Sequence, residues 1–261
     1  MSVEFLKINK IQDAAIATVQ INKLEKYNAL DQSLKLELTK QLNLLSEDHS
    51  VRVIVLAGGA KAFCTGQDLS DPILSVENPD FGIILQEQWN PLIQSIRENK
   101  KIVISCVEGA IAGAGILLAF ASDLIYAHPH SKWNSAFCKV GLIPDCASSF
   151  FWPQEMGYQK AMEFALGLKV YTGLELEKLH IINEIHENPF ELGLEKAKII
   201  SQLSPLTLKM LKENFQLVLK SHFKKALEKE IISQKVLGNS EDYNEGVKAF
   251  KEKRTPIFQG R

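Results

Sequence analysis

The alternation of short strand-like runs with helical segments stops at about residue 148, and this change constrains the fold more than any other feature of the sequence. Before it, β-branched runs such as residues 51–56 and 102–107 alternate with amphipathic segments. In residues 31–46, leucines recur every three or four positions and form one apolar helix face. From Ser148 onward the patterns are typical of helices. This order predicts an α/β fold whose strand-rich part is followed by helices.

Turn residues divide these patterns into individual elements. Residues 3–19 contain two β-like runs around a polar turn and predict a hairpin. Further strands are predicted over 51–56, 102–107, 124–127 and 132–136, and helices over 31–46, 81–99, 149–156, 159–166, 173–179, 192–203, 205–219 and 226–237. A small-residue turn at 112–115 should open another helix that ends at Ala121. Because no low-complexity linker separates the two parts, we expect the helices to pack on the strand-rich part.

Charge, hydropathy and cysteine content exclude several classes of protein. The 261 residues carry 30 Lys and Arg against 31 Asp and Glu, whereas a nucleic-acid-binding protein usually shows a basic excess. The longest apolar stretch, residues 110–121, is too short to cross a bilayer. The four cysteines form no CxxC pair, and the six histidines show no HExxH spacing. We therefore expect a cytoplasmic protein without a nucleic-acid, membrane or metal partner.

Two glycine-containing turns are candidates for chemistry. In residues 63–69 (FCTGQDL), Gly66 allows a sharp turn that would leave the N–H of Gln67 pointing into a cleft. Residues 112–115 precede an apolar helix, so their N–H groups should lie at a helix N-terminus, which favours negative charge. Two such N–H groups that converge on one oxygen would form an oxyanion hole. The residues alone favour the simpler interpretation, two tight turns that require small side chains.

Five segments, taken together, carry a resemblance to a known family. They are residues 26–30 (KYNAL), 62–69 (AFCTGQDL), 108–115 (EGAIAGAG), 141–145 (GLIPD) and 245–250 (EGVKAF). In this order and spacing they resemble the crotonase family, the enoyl-CoA hydratase/isomerase superfamily, over nearly the whole chain. The resemblance implies a spiral core of ββα turns over residues 1–195. It also implies a helical region over 196–261 that forms homotrimers, often paired into hexamers.

The resemblance implies an acyl-CoA substrate and assigns residues to it. The thioester oxygen would accept hydrogen bonds from the N–H groups of Gln67 and Ala114. The coenzyme A side would be formed by Lys26, Asn28, Ala29, Gly66, Asp68 and Leu69, with Phe250 and Lys253 at the nucleotide, often from a neighbouring subunit. Asp68 is also expected to brace its own loop. Because coenzyme A is part of the substrate, no separate cofactor is expected.

The chain departs from the hydratases of the family at both positions that matter for adding water. These enzymes resemble one another in two glutamates, and Leu117 and Phe137 occupy the matching positions here. Water addition needs an acid and a base, which neither side chain can supply. The sequence retains Asp145, in GLIPDC, and a carboxylate there resembles the epoxyphenylacetyl-CoA isomerase and Δ3,Δ2-enoyl-CoA isomerase branch. Residues 147–151 depart from the Gly-Gly-Thr usual after that aspartate.

These observations predict an acyl-CoA isomerase with Asp145 as its acid/base. A carboxyl group after Pro144 could instead simply form a turn by bonding its own backbone. Two other functions remain open from the sequence: an enoyl-CoA hydratase, and a non-catalytic protein that keeps the fold and binds acyl-CoA.

Overall fold

The computed structural model describes residues 5–74 and 79–261. Its strands and helices follow one another as β1 (Leu6–Ile11), β2 (Ile16–Ile21), α1 (Gln32–Glu47), β3 (Val53–Ala57), β4 (Ala62–Cys64), α2 (Phe81–Ile84), α3 (Asn90–Arg97), β5 (Ile102–Val107), β6 (Ala110–Ala112), α4 (Ala114–Ala121), β7 (Leu124–Ala127), β8 (Lys132–Asn134), α5 (Ser148–Met156), α6 (Tyr158–Ala165), β9 (Tyr171–Thr172), α7 (Gly173–Lys178), β10 (Glu184–Ile185), α8 (Pro189–Ser201), α9 (Pro205–Gly238) and α10 (Glu241–Glu252).

The strands form two sheets. The larger has six strands in the order β1-β2-β3-β5-β7-β10, and the smaller has four in the order β4-β6-β8-β9. Apart from the β1–β2 hairpin and the β8–β9 pair, neighbouring strands run parallel. Parallel neighbours require crossover connections, and α1, α3 and α4 supply helices between strands. The predicted α/β class is confirmed.

The central strands are buried because helices cover them. Every residue of β3 (VIVLA) is buried, and α8 packs against β3 and β5. Helix α1 begins where Asp31 accepts a hydrogen bond from the N–H of Leu34, as expected of an N-cap residue. The four leucines of its predicted apolar face are all buried in the main core: Leu34, Leu38, Leu42 and Leu45.

Several predicted elements need correction. The helices expected over 205–219 and 226–237 are one continuous helix, α9, because residues 220–225 contain neither Gly nor Pro and the buried Phe223 anchors them. The helix expected over 81–99 contains a π-helical segment, Leu85–Trp89, between α2 and α3. The chain after Ser148 is not helical throughout, since it contributes the short strands β9 and β10.

Helix α10, the hairpin and the predicted limit between the two regions remain to be compared with the structure. Helix α10 had not been predicted, although its segment carries one of the family motifs. The hairpin is confirmed from Leu6 to Ile21, whereas residues 3 and 4 of the prediction lie outside the described residues. The predicted limit between a core ending at residue 195 and a helical region starting at 196 falls inside α8.

Candidate active site

Two backbone hydrogen bonds fix the loop after β4 on either side of Gln67. The carbonyl of Gly66 accepts a hydrogen bond from the N–H of Leu30 over 2.8 Å, and Leu30 in turn accepts one from the N–H of Asp68 over 3.0 Å. Gln67 lies between these two anchored residues. Its N–H donates to no acceptor within the described residues.

The N-terminus of α4 approaches this loop closely. A Cβ atom on Gly66, whose φ is +83°, would lie 3.0 Å from the amide nitrogen of Ala114. A Cβ atom on Gly115 would lie 2.2 Å from the carbonyl oxygen of Cys64, which is closer than real Cβ contacts. Glycine at these two positions therefore allows the amides of Gln67 and Ala114 to be neighbours. The N–H of Ala114, at the first position of α4, is likewise without an acceptor in the described part of the chain.

Asp145 lies just before α5 and is buried at 8% exposure. Its Oδ2 atom accepts a hydrogen bond from Nε2 of Gln234 on α9 over 2.8 Å. Its Oδ1 atom is buried and has no hydrogen-bond partner among residues 5–74 and 79–261. Burial raises the pKa of Asp145, although the hydrogen bond from Gln234 favours its ionised form. The side chain thus has one oriented oxygen and one unsatisfied oxygen.

A second buried carboxyl group, missed by sequence reasoning, lies close to Asp145. Glu230 on α9 accepts hydrogen bonds from the N–H of Ala147 over 2.7 Å and from the N–H of Ser149 over 3.0 Å, and so caps the N-terminus of α5. Burial raises the pKa of Glu230 to about 7, with a smaller repulsive contribution from Asp145, against the opposing effect of these hydrogen bonds. The Asp145 loop is therefore held by two polar residues of α9.

A buried lysine contacts the side chain of Gln67, and this role was not predicted from the sequence. The Nζ atom of Lys35 donates to Oε1 of Gln67 over 2.7 Å, and Nε1 of Trp89 donates to the same oxygen over 3.0 Å. Lys35 has no exposed surface, and its Nζ lies 5.1 Å from the centre of the Trp89 ring. Burial lowers the pKa of Lys35 to about 8.

The two positions predicted to match the hydratase glutamates are apolar and buried. Leu117 lies in the first turn of α4 and is completely buried, and Phe137 is 9% exposed. Neither side chain can exchange a proton, whereas Asp145 and Glu230 place two carboxyl groups at the loop before α5.

The residues predicted to contact coenzyme A near the first loop divide into two groups. Asn28 is fully buried and holds backbone, since it donates to the carbonyl of Ala62 and accepts from the N–H of Lys23, both over 2.7 Å. Ala29 is also buried. Lys26 and Leu69, in contrast, are about half exposed beside the loop and are accessible to a ligand.

Asp68 is committed to the loop itself. It forms an ion pair of 2.9 Å with Lys23 and accepts hydrogen bonds from the N–H and Oγ of Ser70. Burial opposes its ionisation, but these hydrogen bonds outweigh burial and lower the pKa of Asp68 to about 2. Asp68 is therefore a bound anion that braces the turn.

Phe250 and Lys253 lie apart from this cluster. Both are exposed at the end of α10, where they line a groove with Cys138 and Lys139. In the described parts of the chain, no group of three or more His, Cys, Asp or Glu could hold a metal ion. No helix of those parts is both long and apolar enough to span a membrane.

Comparison with known proteins assigns the family. A sequence profile described as Enoyl-CoA hydratase/isomerase matches residues 11–261. The chain is 29% identical to the 1,2-epoxyphenylacetyl-CoA isomerase of Escherichia coli, over 95% of this chain and 97% of that protein. It is 33% identical to a probable enoyl-CoA hydratase of Rhodobacter capsulatus, over 94% and 95%. A crystal structure of an enoyl-CoA hydratase/isomerase from Pseudoalteromonas atlantica, 24% identical, superposes with a TM-score of 0.87 and covers 98% of this chain and 100% of that one.

The protein therefore belongs to the enoyl-CoA hydratase/isomerase family of the crotonase superfamily, which acts on acyl-CoA thioesters. The family predicted from the five sequence segments is confirmed, and the fold is the crotonase fold.

Proposed function

We propose that the protein is an acyl-CoA isomerase, which shifts a double bond or rearranges an epoxide, with Asp145 as its acid/base. The observation that carries the proposal is the state of this carboxyl group. Gln234 fixes one oxygen, and the other is buried without a partner in the described part of the chain. An oriented and poorly solvated carboxylate suits a general base, because burial favours its protonated form and so strengthens it as a proton acceptor.

The two free amides supply the complementary half of the reaction. When Asp145 removes a proton from a carbon of the acyl group, the electron pair moves onto the thioester oxygen and forms an enolate. The N–H groups of Gln67 and Ala114 would donate hydrogen bonds to that oxygen, which is the main stabilising interaction in an oxyanion hole. Asp145 then returns the proton to another carbon. For the double-bond shift each step is a proton transfer, and the epoxide rearrangement only redistributes bonds within the substrate without net oxidation or reduction. We therefore propose that no cofactor beyond the coenzyme A of the substrate takes part.

A specific observation keeps hydration as the second candidate. The relative with 33% identity is named a probable enoyl-CoA hydratase. The apolar Leu117 and Phe137 argue against it, because they leave a water molecule without the usual acid and base. The name of the E. coli relative, an isomerase of an epoxide acyl-CoA, supports the first candidate. The third possibility, a non-catalytic acyl-CoA binder, would leave the unsatisfied Asp145 oxygen without a use.

A substrate screen separates the three candidates. The purified protein is incubated with a 3-enoyl-CoA, a 2-enoyl-CoA and epoxyphenylacetyl-CoA, and products are followed by chromatography. We expect isomerisation of the first or third substrate and slow hydration of the second. Crotonyl-CoA hydration at about 10 per second or more would favour the hydratase. Binding of all three without turnover would favour the binder.

We further propose that the protein works as a homotrimer or hexamer in the cytoplasm. Helix α9 exposes large apolar side chains, including Phe215 at 71% and Val218 at 76%, which a monomer would leave in water. All four cysteines are unpaired, which suits a reducing compartment. Light scattering is expected to give at least three times the mass of one chain, and Val218→Asp should lower that mass.

A further inference from the structure

Among the residues that the structure describes, Lys35 differs from the other buried lysines in having no anionic partner. Three lysines are buried among the described residues: Lys23, Lys35 and Lys212. Lys23 forms ion pairs of 2.6 and 2.9 Å with two aspartates, and Lys212 forms one of 2.7 Å with Asp123. Within those same residues no carboxylate lies within 4.0 Å of Lys35 Nζ. Burying a cation without a counter-ion is costly, so the contact it does make needs an explanation.

That contact is with the side chain of Gln67, which is held at all its polar atoms. Lys35 and Trp89 donate to Oε1 over 2.7 and 3.0 Å. Nε2 donates to Oδ2 of Asp71 over 3.2 Å and to the carbonyl of Asp68 over 3.3 Å. Exchanging the amide oxygen and nitrogen would place an NH₂ group against two donors, so the orientation is fixed by its neighbours. Lys35 thus helps to fix the side chain of Gln67, whose backbone N–H donates to no acceptor among the described residues.

We propose that Lys35 is a positioning residue of the oxyanion hole, which acts through the side chain of Gln67 to hold its backbone N–H toward the thioester oxygen. The inference rests on the proposed function only for the identity of the reaction. Any acyl-CoA reaction catalysed in this fold would use the same N–H group of Gln67. A donor that is already in place before charge develops contributes more than one that must be reoriented. The buried ammonium is the strongest of the donors that fix Gln67, because a charged donor forms stronger hydrogen bonds than a neutral one.

The test uses a bound chromophore that needs no turnover. In 4-(dimethylamino)cinnamoyl-CoA the absorption moves to longer wavelength when the thioester oxygen accepts strong hydrogen bonds. We expect a red shift on binding to the wild-type protein, and Lys35→Met should lose at least about half of it. Turnover of the best natural substrate should fall about tenfold or more, with KM changed by less than about threefold, since the loss lies in the transition state.

A double-mutant cycle tests the route through Gln67. The variant Gln67→Ala keeps the backbone N–H but removes the side chain that Lys35 contacts. If Lys35 acts through that side chain, Lys35→Met in the Gln67→Ala background should cause almost no further loss. Effects that simply add would overturn the proposal. Lys212→Met is the matched control: it removes another buried lysine, outside this cluster, and should keep the full red shift even if it lowers the melting temperature.

The remaining outcomes are also decisive. A full red shift with Lys35→Met would overturn the proposal, as would an increase in KM at unchanged kcat, which would place the lysine on an anionic part of the substrate. If Lys35→Met does not fold, Gln67→Ala decides alone, because an unchanged red shift there removes the only route proposed. Hydration instead of isomerisation by the wild type would refute the proposed function and leave the spectral result valid. Absence of a red shift with the wild-type protein would overturn this inference. The substrate screen would still test the proposed reaction independently.

The charge on Lys35 gives a pH signature. The charged and titratable groups that act on it are Asp71 and Asp31 beside the first loop and Cys146 and Asp145 before α5. Since burial lowers the pKa of Lys35 to about 8, the ammonium loses its proton as the pH rises through this value. The wild-type red shift should therefore decrease between about pH 7 and 9, whereas that of Lys35→Met should stay constant. A flat wild-type profile would contradict a role for the charged form.

Discussion

Asp145 and Gln234 form a hydrogen bond of 2.8 Å between the loop that precedes α5 and a helix residue 89 positions further along the chain. The same Nε2 group donates to the carbonyl of Ile143 over 3.0 Å, so both ends of the loop segment are tied to one amide. Since Nε2 has two hydrogens, this use exhausts its donors. Among the described residues, this arrangement leaves the other oxygen of Asp145 buried without a hydrogen-bond partner.

Replacing Asp145 by asparagine should remove turnover and spare binding. The change keeps the size of the side chain and removes the proton-accepting charge, and a general acid–base group contributes about 10²–10⁴-fold in rate. Turnover should therefore fall by at least about a hundredfold, while the acyl-CoA dissociation constant stays nearly the same. The measurement is kcat and Kd for both proteins with the best substrate of the screen. Asp68→Asn is the comparison variant. If Asp145→Asn kept nearly full activity, the base would be another residue, and Asp68 would be the next candidate.

Removing the Gln234 amide should change the pH dependence of the reaction. Its hydrogen bond favours the ionised form of Asp145, so Gln234→Leu should raise the pKa of Asp145 further. The acidic limb of kcat/KM should then move to higher pH, and the maximal rate should fall about tenfold because the carboxylate loses its orientation. Gln41→Leu removes a half-buried glutamine of α1, which bonds Glu37, and serves as the control. An acidic limb that stays in place would show that Asp145 does not control it.

The close contact between α4 and β4 predicts that Gly115 does not accept a side chain. Its Cβ would lie 2.2 Å from the carbonyl oxygen of Cys64, so Gly115→Ala must push the two backbones apart. Overpacking of this kind costs about 1–3 kcal/mol of unfolding free energy, or more against rigid backbone. Gly157→Ala is the matched variant, because its Cβ meets nothing within 4 Å and only its φ of +75° is unfavourable. Urea unfolding should show a larger loss for Gly115→Ala, and a loss of less than about 1 kcal/mol for that variant would contradict the steric explanation.

Glu230 should make stability decrease with pH in a defined window. Its pKa is about 7 in the folded protein, against 4.5 as its ordinary value, so the folded state binds more protons between these pH values. The unfolding free energy contributed by this group is therefore fully present below about pH 4.5 and is lost as the pH rises toward 7, by an amount on the order of 2–3 kcal/mol. Urea unfolding at several pH values should show a weaker decrease for Glu230→Gln. The exposed neighbour substitution Glu228→Gln should leave the wild-type slope unchanged.

Local sequence patterns were sufficient to predict the backbone turns of the candidate site. Gly66 and the small residues before α4 indicated two turns because glycine is needed where chains turn sharply or approach closely. The leucines of α1 and the β-branched runs of β3 and β5 indicated their elements because period and burial are local properties of sequence. The roles of Gln67 and Ala114 came from the family resemblance and stay predictions.

The polar side chains that support the site could not be predicted from local sequence patterns. Lys35 falls on the buried face of α1, three residues before Leu38 and seven before Leu42, and this spacing was the one signal for a buried lysine. Glu230 and Gln234 lie in a helix whose hydrogen-bond partners are more than 80 residues away. A helical sequence pattern gives the face of a residue but not the loop that packs on it, so these contacts depend on the tertiary fold.

Helix α9 is 34 residues long, about 50 Å at 1.5 Å per residue. A rigid helix of this length connects contacts that lie far apart in the molecule. Near its start Lys212 is tied to Asp123, and near its end Glu230 and Gln234 hold the loop of Asp145. Between these anchors it exposes the apolar surface proposed to join subunits. Dilution that separates the subunits would leave the middle of α9 without its contacts. Specific activity would then decrease as the enzyme concentration is lowered, before any unfolding is detectable.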